Sequence, residues 1–375
     1  MSATRAIDLE DTEGLLGADR EGLLRAASSA GAQVRAIAAA VQEGALDSLR
    51  ADNRPRSVIW VAGRGTAETA GAMLAATYGG AAAEPIALAG EAPQWVGPLD
   101  VLIVAGDDPG DPALVTAAAT GVRRGARVVV VAPNEGPLRD SAAGRAAVLA
   151  PRLRVPDEFA LCRYLAAGLA VLQTVEQGPS IDLALLADEL DAEALCNSAG
   201  RELFTNPAKT IATRMANRQV ALAGDCATTL ALARHASSVL LRIAHRVVAA
   251  AGLADVVAAL RAGMSDGFRD ATSSVDALFH DEQIDGPLPE RLHVLALTLA
   301  DERTVVAARV AGFDDIYLVA AEDVPDVPQV PDASVAAGSP GGSRASAAAG
   351  GAVQQLAVLA VRLEMAAVYM RLVRG

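Results

Sequence analysis

Aromatic residues make up only 3% of this 375-residue chain, and the basic side chains are almost all arginine, with Lys209 the one lysine. An interior so poor in rings has to be closed by aliphatic and small side chains on helix faces. Positive charge is short as well: 32 Lys and Arg against 45 Asp and Glu leave a net charge of -13. Such a surface repels polyanions, which excludes nucleic acid and anionic membrane as general partners. An anionic ligand needs a local nest. The three cysteines, Cys162, Cys196 and Cys226, lie far apart and form no CxxC pair. Neither a metal site nor a disulfide framework follows from them, and reduced thiols are expected. No apolar run reaches the roughly 20 residues that span a bilayer, and the acidic N-terminal stretch lacks a signal-peptide core. The expectation is a cytoplasmic globular protein, long enough for two sizeable cores.

What the chain does have is alternation. A lead with apolar residues at helical spacing runs to about Ala51. Strand-type runs then follow at 57–62, 84–88, 100–105, 126–132 and 147–150, with helical patterns between them and a longer helix expected over 157–177. This order predicts a parallel sheet covered on both faces. The Gly178-Pro179 step punctuates two helical patterns and marks a boundary between units 1–178 and 179–375. Beyond it, helices over 183–193 and 208–216 lead to strands at 219–223, 292–299 and 315–320. There "VALAGDCATTLALARHA" repeats the layout of "VIWVAGRGTAETAGAMLA", as expected of two copies of one α/β unit. The tract 322–351, rich in Pro, Gly, Ser and Ala, is predicted to be a flexible loop, and 352–374 an amphipathic C-terminal helix docked on the second sheet.

Gly-x-Gly-Thr between a strand and a helix presents backbone N–H groups to an anion. In this chain "GRGTAET", "AGDDPGDPALV" and "RRGARVVVVAPNEGPL" succeed one another in an order and spacing that resembles the SIS (sugar isomerase) domain family. Within it the likeness is to bifunctional phosphoglucose/phosphomannose isomerases, in a divergent actinobacterial branch of the TobH type. "NPAKTIATRMANRQVALAG" is similar to that family's entry into a second SIS domain, "LFHDEQIDG" to its histidine-containing segment, and "LEMAAVYMRLV" to its last helix. The resemblance implies an α/β fold of two tandem SIS-type parallel-sheet domains behind an N-terminal helical lead. It also implies an aldose–ketose isomerase of glucose 6-phosphate and mannose 6-phosphate, with no metal and no organic cofactor, assembled as a homodimer. The Ala-rich stretch "LALARHASSVLLRIAHRVV" offers a face for the symmetric copy.

By the same resemblance, substrate binding falls on Gly63, Arg64, Gly65, Thr66, Gly106, Asp108, Asp111 and Gly136, and proton transfer on His280, beside Asp281 and Glu282. His245 is the candidate base in the run that replaces the family's glutamate helix. Several positions depart from the pattern. The family's Ser, Ser and Thr become Gly106, Asp108 and Asp111, and its Pro-Arg arginine becomes Asp157. Carboxylates only accept hydrogen bonds, and at 4 Å and an effective dielectric of about 20 two like charges cost on the order of 4 kcal/mol. Two readings of the loop aspartates stand side by side: a changed ligand, such as a cation or a sugar without phosphate at that spot, or caps for the helix that starts at Pro112. His245 reads either as a base or as a packing residue, and Lys209 as a structural group. For the whole chain the alternative to an isomerase is a non-catalytic SIS protein that senses a sugar phosphate or nucleotide sugar, or supports a mannose-pathway enzyme.

Overall fold

Runs such as Val-Ile-Trp-Val and Val-Val-Val-Val have no polar face to show to water, so the sheets they form must be covered on both sides. The computed structural model, which describes residues 7–51, 53–175, 181–265, 291–321 and 342–374, contains two such sheets. In the first, β1 (Ser57–Val61), β2 (Ile86–Ala89), β3 (Asp100–Ala105), β4 (Arg127–Val131) and β5 (Ala147–Val148) are parallel in the order β2-β1-β3-β4-β5. In the second, β6 (Gln219–Gly224), β7 (Ala249–Gly252), β8 (Leu292–Leu297) and β9 (Ile316–Val319) are parallel in the order β7-β6-β8-β9. Both reverse direction of winding next to their first strand, between β1 and β3 and between β6 and β8.

Alternate residues of each strand face different cores. Val58, Trp60 and Ile103 of the first sheet and Leu222, Leu295 and Leu297 of the second belong to one continuous interior. Ile59, Val61, Leu102 and Val104 face outward onto α5 (Pro112–Arg124) and α6 (Gly136–Ala142). Ala223, Val294 and Ala296 likewise face α11 (Leu253–Ser265) and α12 (Arg303–Val310). The shared interior is filled by helices: α4 (Gly65–Tyr78) and α7 (Leu161–Val175) from the first half, and α8 (Leu183–Cys196), α9 (Pro207–Met215) and α10 (Ala227–Ala244) from the second. Small residues set the spacing, as the sequence implied. A Cβ at Gly71 of α4 would stand 2.4 Å from the Trp60 ring, so only glycine lets this helix close on its strand.

The lead forms three helices, α1 (Thr12–Ala18), α2 (Leu23–Ala27) and α3 (Ala30–Gln42), of which α3 packs on α7 and α8. The helix expected from residue 157 starts later: Asp157–Phe159 form a 3-10 turn, and α7 follows from Leu161. The predicted boundary at 178/179 lies outside the described residues, as does most of the 322–351 tract. Its end differs from the expectation, because α13 (Gly342–Arg374) already begins at Gly342. The stretch Ser343-Arg-Ala-Ser-Ala-Ala-Ala is dominated by the residue with the highest helix propensity, and this outweighs its small, loop-like composition. Helix α13 reaches the second sheet just past β9, where Arg362 donates to the Ala320 carbonyl, but most of its neighbours are helices. It packs along α8, α9 and α10 and also touches α2, α4 and α7 of the first half.

Two buried polar clusters fix α13. Arg362 forms a two-pronged pair with Glu193 of α8 (2.8 and 3.2 Å) and donates to the Ala320 and Ala321 carbonyls. Lys209, wholly buried, donates to the Ala199 and Arg201 carbonyls (2.9 and 2.8 Å), and the Tyr369 hydroxyl of α13 donates to the Asn197 carbonyl beside them. The lysine is thus a clasp on the turn after α8. Among the described residues, no helix is long and apolar enough to cross a membrane.

Candidate functional site

In an open parallel sheet, loops diverge at the carboxyl ends of the strands on either side of the reversal point and leave a crevice there. The loops after β1 and β3 meet at this point. Arg64 reaches across from the first toward Asp108 (3.6 Å) and Asp111 (3.8 Å) of the second. Asp111 caps α5 through the Ala113 N–H (2.9 Å), and Asp108 closes a turn by accepting from the Gly110 N–H (2.8 Å). Both aspartates therefore have local partners. Gly106 is closed in by Leu114, whose Cδ1 would lie 2.5 Å from an added Cβ. Gly136, at φ +55, opens α6, and the Leu138 N–H donates to the Pro109 carbonyl, tying the loop after β4 to the loop after β3.

The first turn of α4 is the place where Gly-x-Gly-Thr predicts an anion nest. Gly65 takes φ +70, and Arg64, at the cap position, contributes no side-chain cap. The group facing the nest is a carboxylate of the chain itself. Asp157 Oδ2 lies 3.5 Å from the Thr66 N–H and 3.8 Å from the Arg242 guanidinium, and Oδ1 accepts from the Tyr164 hydroxyl at 3.4 Å. Burial first, and the charge of Asp107 second, hold this carboxyl above the usual carboxylate range, against the opposing pull of Thr66 and Arg242. Arg242 also pairs with Glu158 at 2.8 Å, so one arginine of α10 fastens the whole 157–159 turn.

That turn stands between two cavities. One, of about 200 Å³, lies between α4 and α10 and is lined by Thr66, Thr69, Glu158, His235, Ser238 and Arg242. His235 and Glu364, each 2% exposed, are joined by a hydrogen bond of 2.8 Å from Nε2 to Oε1. Burial raises the Glu364 carboxyl, and the bond to His235 counters it only in part. With Nε2 engaged, Nδ1 is the ring nitrogen left for a ligand. The other cavity, of about 650 Å³, opens beside the ends of β3, β4 and β5, and Asp107, Asn134, Arg154, Asp157 and Arg163 line it.

The structure thus brings Arg64, Gly65, Thr66, Asp108 and Asp111 together and leaves Gly136 on the neighbouring loop. His245 is elsewhere. It is an exposed residue at φ 51, capping the C-terminus of α10, and lines neither cavity. The helix expected to carry it ends at Ala244 because the chain turns there into β7, with Ser237 Oγ donating to the Val248 carbonyl at 2.5 Å. His280 lies outside the described residues. Arg242, Arg163 and the His235–Glu364 pair have no counterpart in the sequence-based site, and Asp157 enters it only in place of an arginine. For His235 a signal existed: it shares the α10 face of Ala231, Leu232, Ala236 and Val239, all buried, which placed it inside the protein. Among the described residues, no group of three or more His, Cys, Asp or Glu is placed to hold a metal ion.

No family model matches the chain, and no curated protein matches it by sequence. Solved structures do match over nearly the whole length. A glucose-6-phosphate isomerase like protein of Thermus thermophilus superposes with a TM-score of 0.53 at 18% identity, covering 98% of this chain and 96% of that one. Tagatose-6-phosphate ketose/aldose isomerase of Escherichia coli gives 0.52 at 14% identity, over 100% and 94%. The C-terminal domain of glucosamine-fructose-6-phosphate aminotransferase of Francisella tularensis gives 0.54 at 9% identity, over 95% and 97%. At such identities the likeness is one of fold, and the two parallel sheets with their helices are the SIS-type α/β fold that these structures share with this chain.

Proposed function

We propose that this chain is a SIS protein of the phosphosugar isomerase kind, and that it binds a hexose 6-phosphate in the cavity between α4 and α10. One observation carries the reading: the first turn of α4, the guanidinium of Arg242 and the imidazole of His235 line a single small cavity. The helix end and Arg242 supply what a phosphate requires, and a histidine tied to a carboxylate supplies what moving a proton between adjacent carbons requires. Thr66 adds a hydroxyl to the lining, the role that the family's serines have elsewhere. Glucose 6-phosphate and mannose 6-phosphate are the first substrates to test, with the protein acting in the cytoplasm without metal or organic cofactor.

A second reading, binding without turnover, has its own support. The Asp157 carboxylate faces the N–H group that would meet the phosphate, so a dianion must displace or protonate it. The test is a thermal-shift titration with both sugar phosphates on wild type and Arg242→Gln, paired with an isomerase assay. Stabilisation of wild type that Arg242→Gln loses, with turnover of order 10 per second, supports the isomerase. The same stabilisation without turnover supports the sensor, and no stabilisation overturns both.

The division into units 1–178 and 179–375 is proposed on the same basis, one sheet falling in each. A homodimer is also proposed, although not through the face first considered. The small residues of α10 already pack on α4 and α13, whereas Leu185, Leu195 and Phe204 are exposed apolar side chains on the second half. Light scattering that returns 38.1 kDa at micromolar concentration would reject the dimer.

A further inference from the structure

The larger cavity contains charges that do not satisfy one another. Arg163 of α7 is 7% exposed, and its Nη1 has no hydrogen-bond partner. Its guanidinium rests on the Tyr164 ring, 4.1 Å from the centroid, and it makes no ion pair among the described residues. A buried cation in this state is costly, and buried polar groups without partners are rare in proteins. Asp107 lines the same cavity and is exposed, with no hydrogen bond or ion pair among the described residues. No ion pair joins the two, so one cavity is lined by a cation that lacks an anion and an anion that lacks a cation.

A bare dianion fits this cavity poorly, because Glu135 and Asp157 join Asp107 in lining it, against Arg154 and Arg163. A bare cation leaves Arg163 as it is. We propose that this cavity binds a small zwitterion, whose anionic group is received by Arg163 and whose ammonium group is received by Asp107. The volume of about 650 Å³ lies within the range of small-molecule sites. The site lies on the far side of the 157–159 turn from the cavity between α4 and α10, and it does not depend on the reading of that cavity.

Calorimetric titration with two matched pairs tests the assignment: phosphoethanolamine against ethyl phosphate, and glucosamine 6-phosphate against glucose 6-phosphate. Within each pair the phosphate is retained and only the amine differs. Wild type is expected to bind the amine-bearing member of at least one pair ten times more tightly or better. Asp107→Asn, at an exposed loop position, should reduce that preference to within twofold, and Arg163→Gln should weaken both members at least tenfold. Ser238→Trp, which fills the other cavity from an exposed position of α10 and makes no contact with the 157–159 turn among the bonds described, should leave the preference in place and so separates this proposal from the function above. Equal binding within both pairs by wild type, no binding of any of the four probes, or a preference that survives Asp107→Asn each overturns the proposal. Should Arg163→Gln fail to fold, the Asp107→Asn result decides it alone.

Discussion

The two strand–loop–helix units, β1 to α4 and β6 to α10, share a sequence layout and differ in how each helix start is satisfied. In the second unit the cap itself is local. Cys226 and Thr229 form a capping box, the Cys226 N–H donating to Thr229 Oγ1 at 3.2 Å, and Asp225 is paired with Arg309. Gly224 is so close to the helix that an added Cβ would stand 2.2 Å from the Leu230 nitrogen. In the first unit the cap residue offers no side chain, and the group at the helix start comes from 91 positions away at a long 3.5 Å. A helix end closed by its own residues is structure, whereas one faced by a distant, exchangeable carboxylate can serve as a site.

The largest effect that sharpens this contrast is steric. Gly224→Ala should destabilise the protein by about 3 kcal/mol, because backbone atoms of α10 must move, while Gly63→Ala, with nothing within 4 Å, should stay within about 0.5 kcal/mol. Urea denaturation of the two variants compares them directly. Next comes Gly65→Asp: a side chain at φ +70 costs about 1–2 kcal/mol, and its carboxylate beside Asp157 should abolish sugar-phosphate binding in calorimetry. Cys226→Ala should cost about 1 kcal/mol of stability through the lost cap, yet leave ligand affinity unchanged; an altered affinity would break the contrast between the two units.

A pH effect follows from Asp157. A carboxyl whose pKa is raised in the folded state contributes stability that is present in full below its unfolded pKa, about 3.9, and is lost as pH rises through the folded value. Thermal melts should therefore show Asp157→Asn gaining on wild type as pH goes from about 4 to 7, and a constant difference would argue against a strained carboxylate. Asp108→Ser with Asp111→Thr should act more on binding than on stability. Threonine still caps α5, so the loss should stay within about 1 kcal/mol, while the removal of two negative charges beside Arg64 should tighten binding of glucose 6-phosphate or mannose 6-phosphate. Unchanged affinity in titration would mean that the phosphate does not come near this loop.

Most strands were legible because branched apolar runs have one way to be covered on both faces. β7 was not, since Ala249-Ala250-Ala251-Gly252 carries no β-branched residue and reads as a continuation of α10. Asp111 as a cap was one of two open readings, and proline at the first helical position already favoured it. Asp157 was noticed only as a lost arginine. That its carboxylate faces Thr66 depends on where the 3-10 turn puts it, and no local pattern reports contacts across 91 positions. Arg163 stayed invisible for a similar reason: flanked by Cys162 and Tyr164 on an apolar helix, its burial becomes evident only when α7 is seen packed on both sides.

Helix α13 is the last-made of the described elements, yet Val353, Leu356, Ala360, Val368 and Tyr369 lie at the centre of the interior that both sheets share. On the ribosome, the earlier helices that line this interior must wait with their apolar faces unmatched until α13 emerges. Closure of this interior thus waits for the synthesis of α13. A nascent chain stalled before Val353 should be held by chaperones and cut readily by proteases, even though every strand of both sheets has already been synthesised.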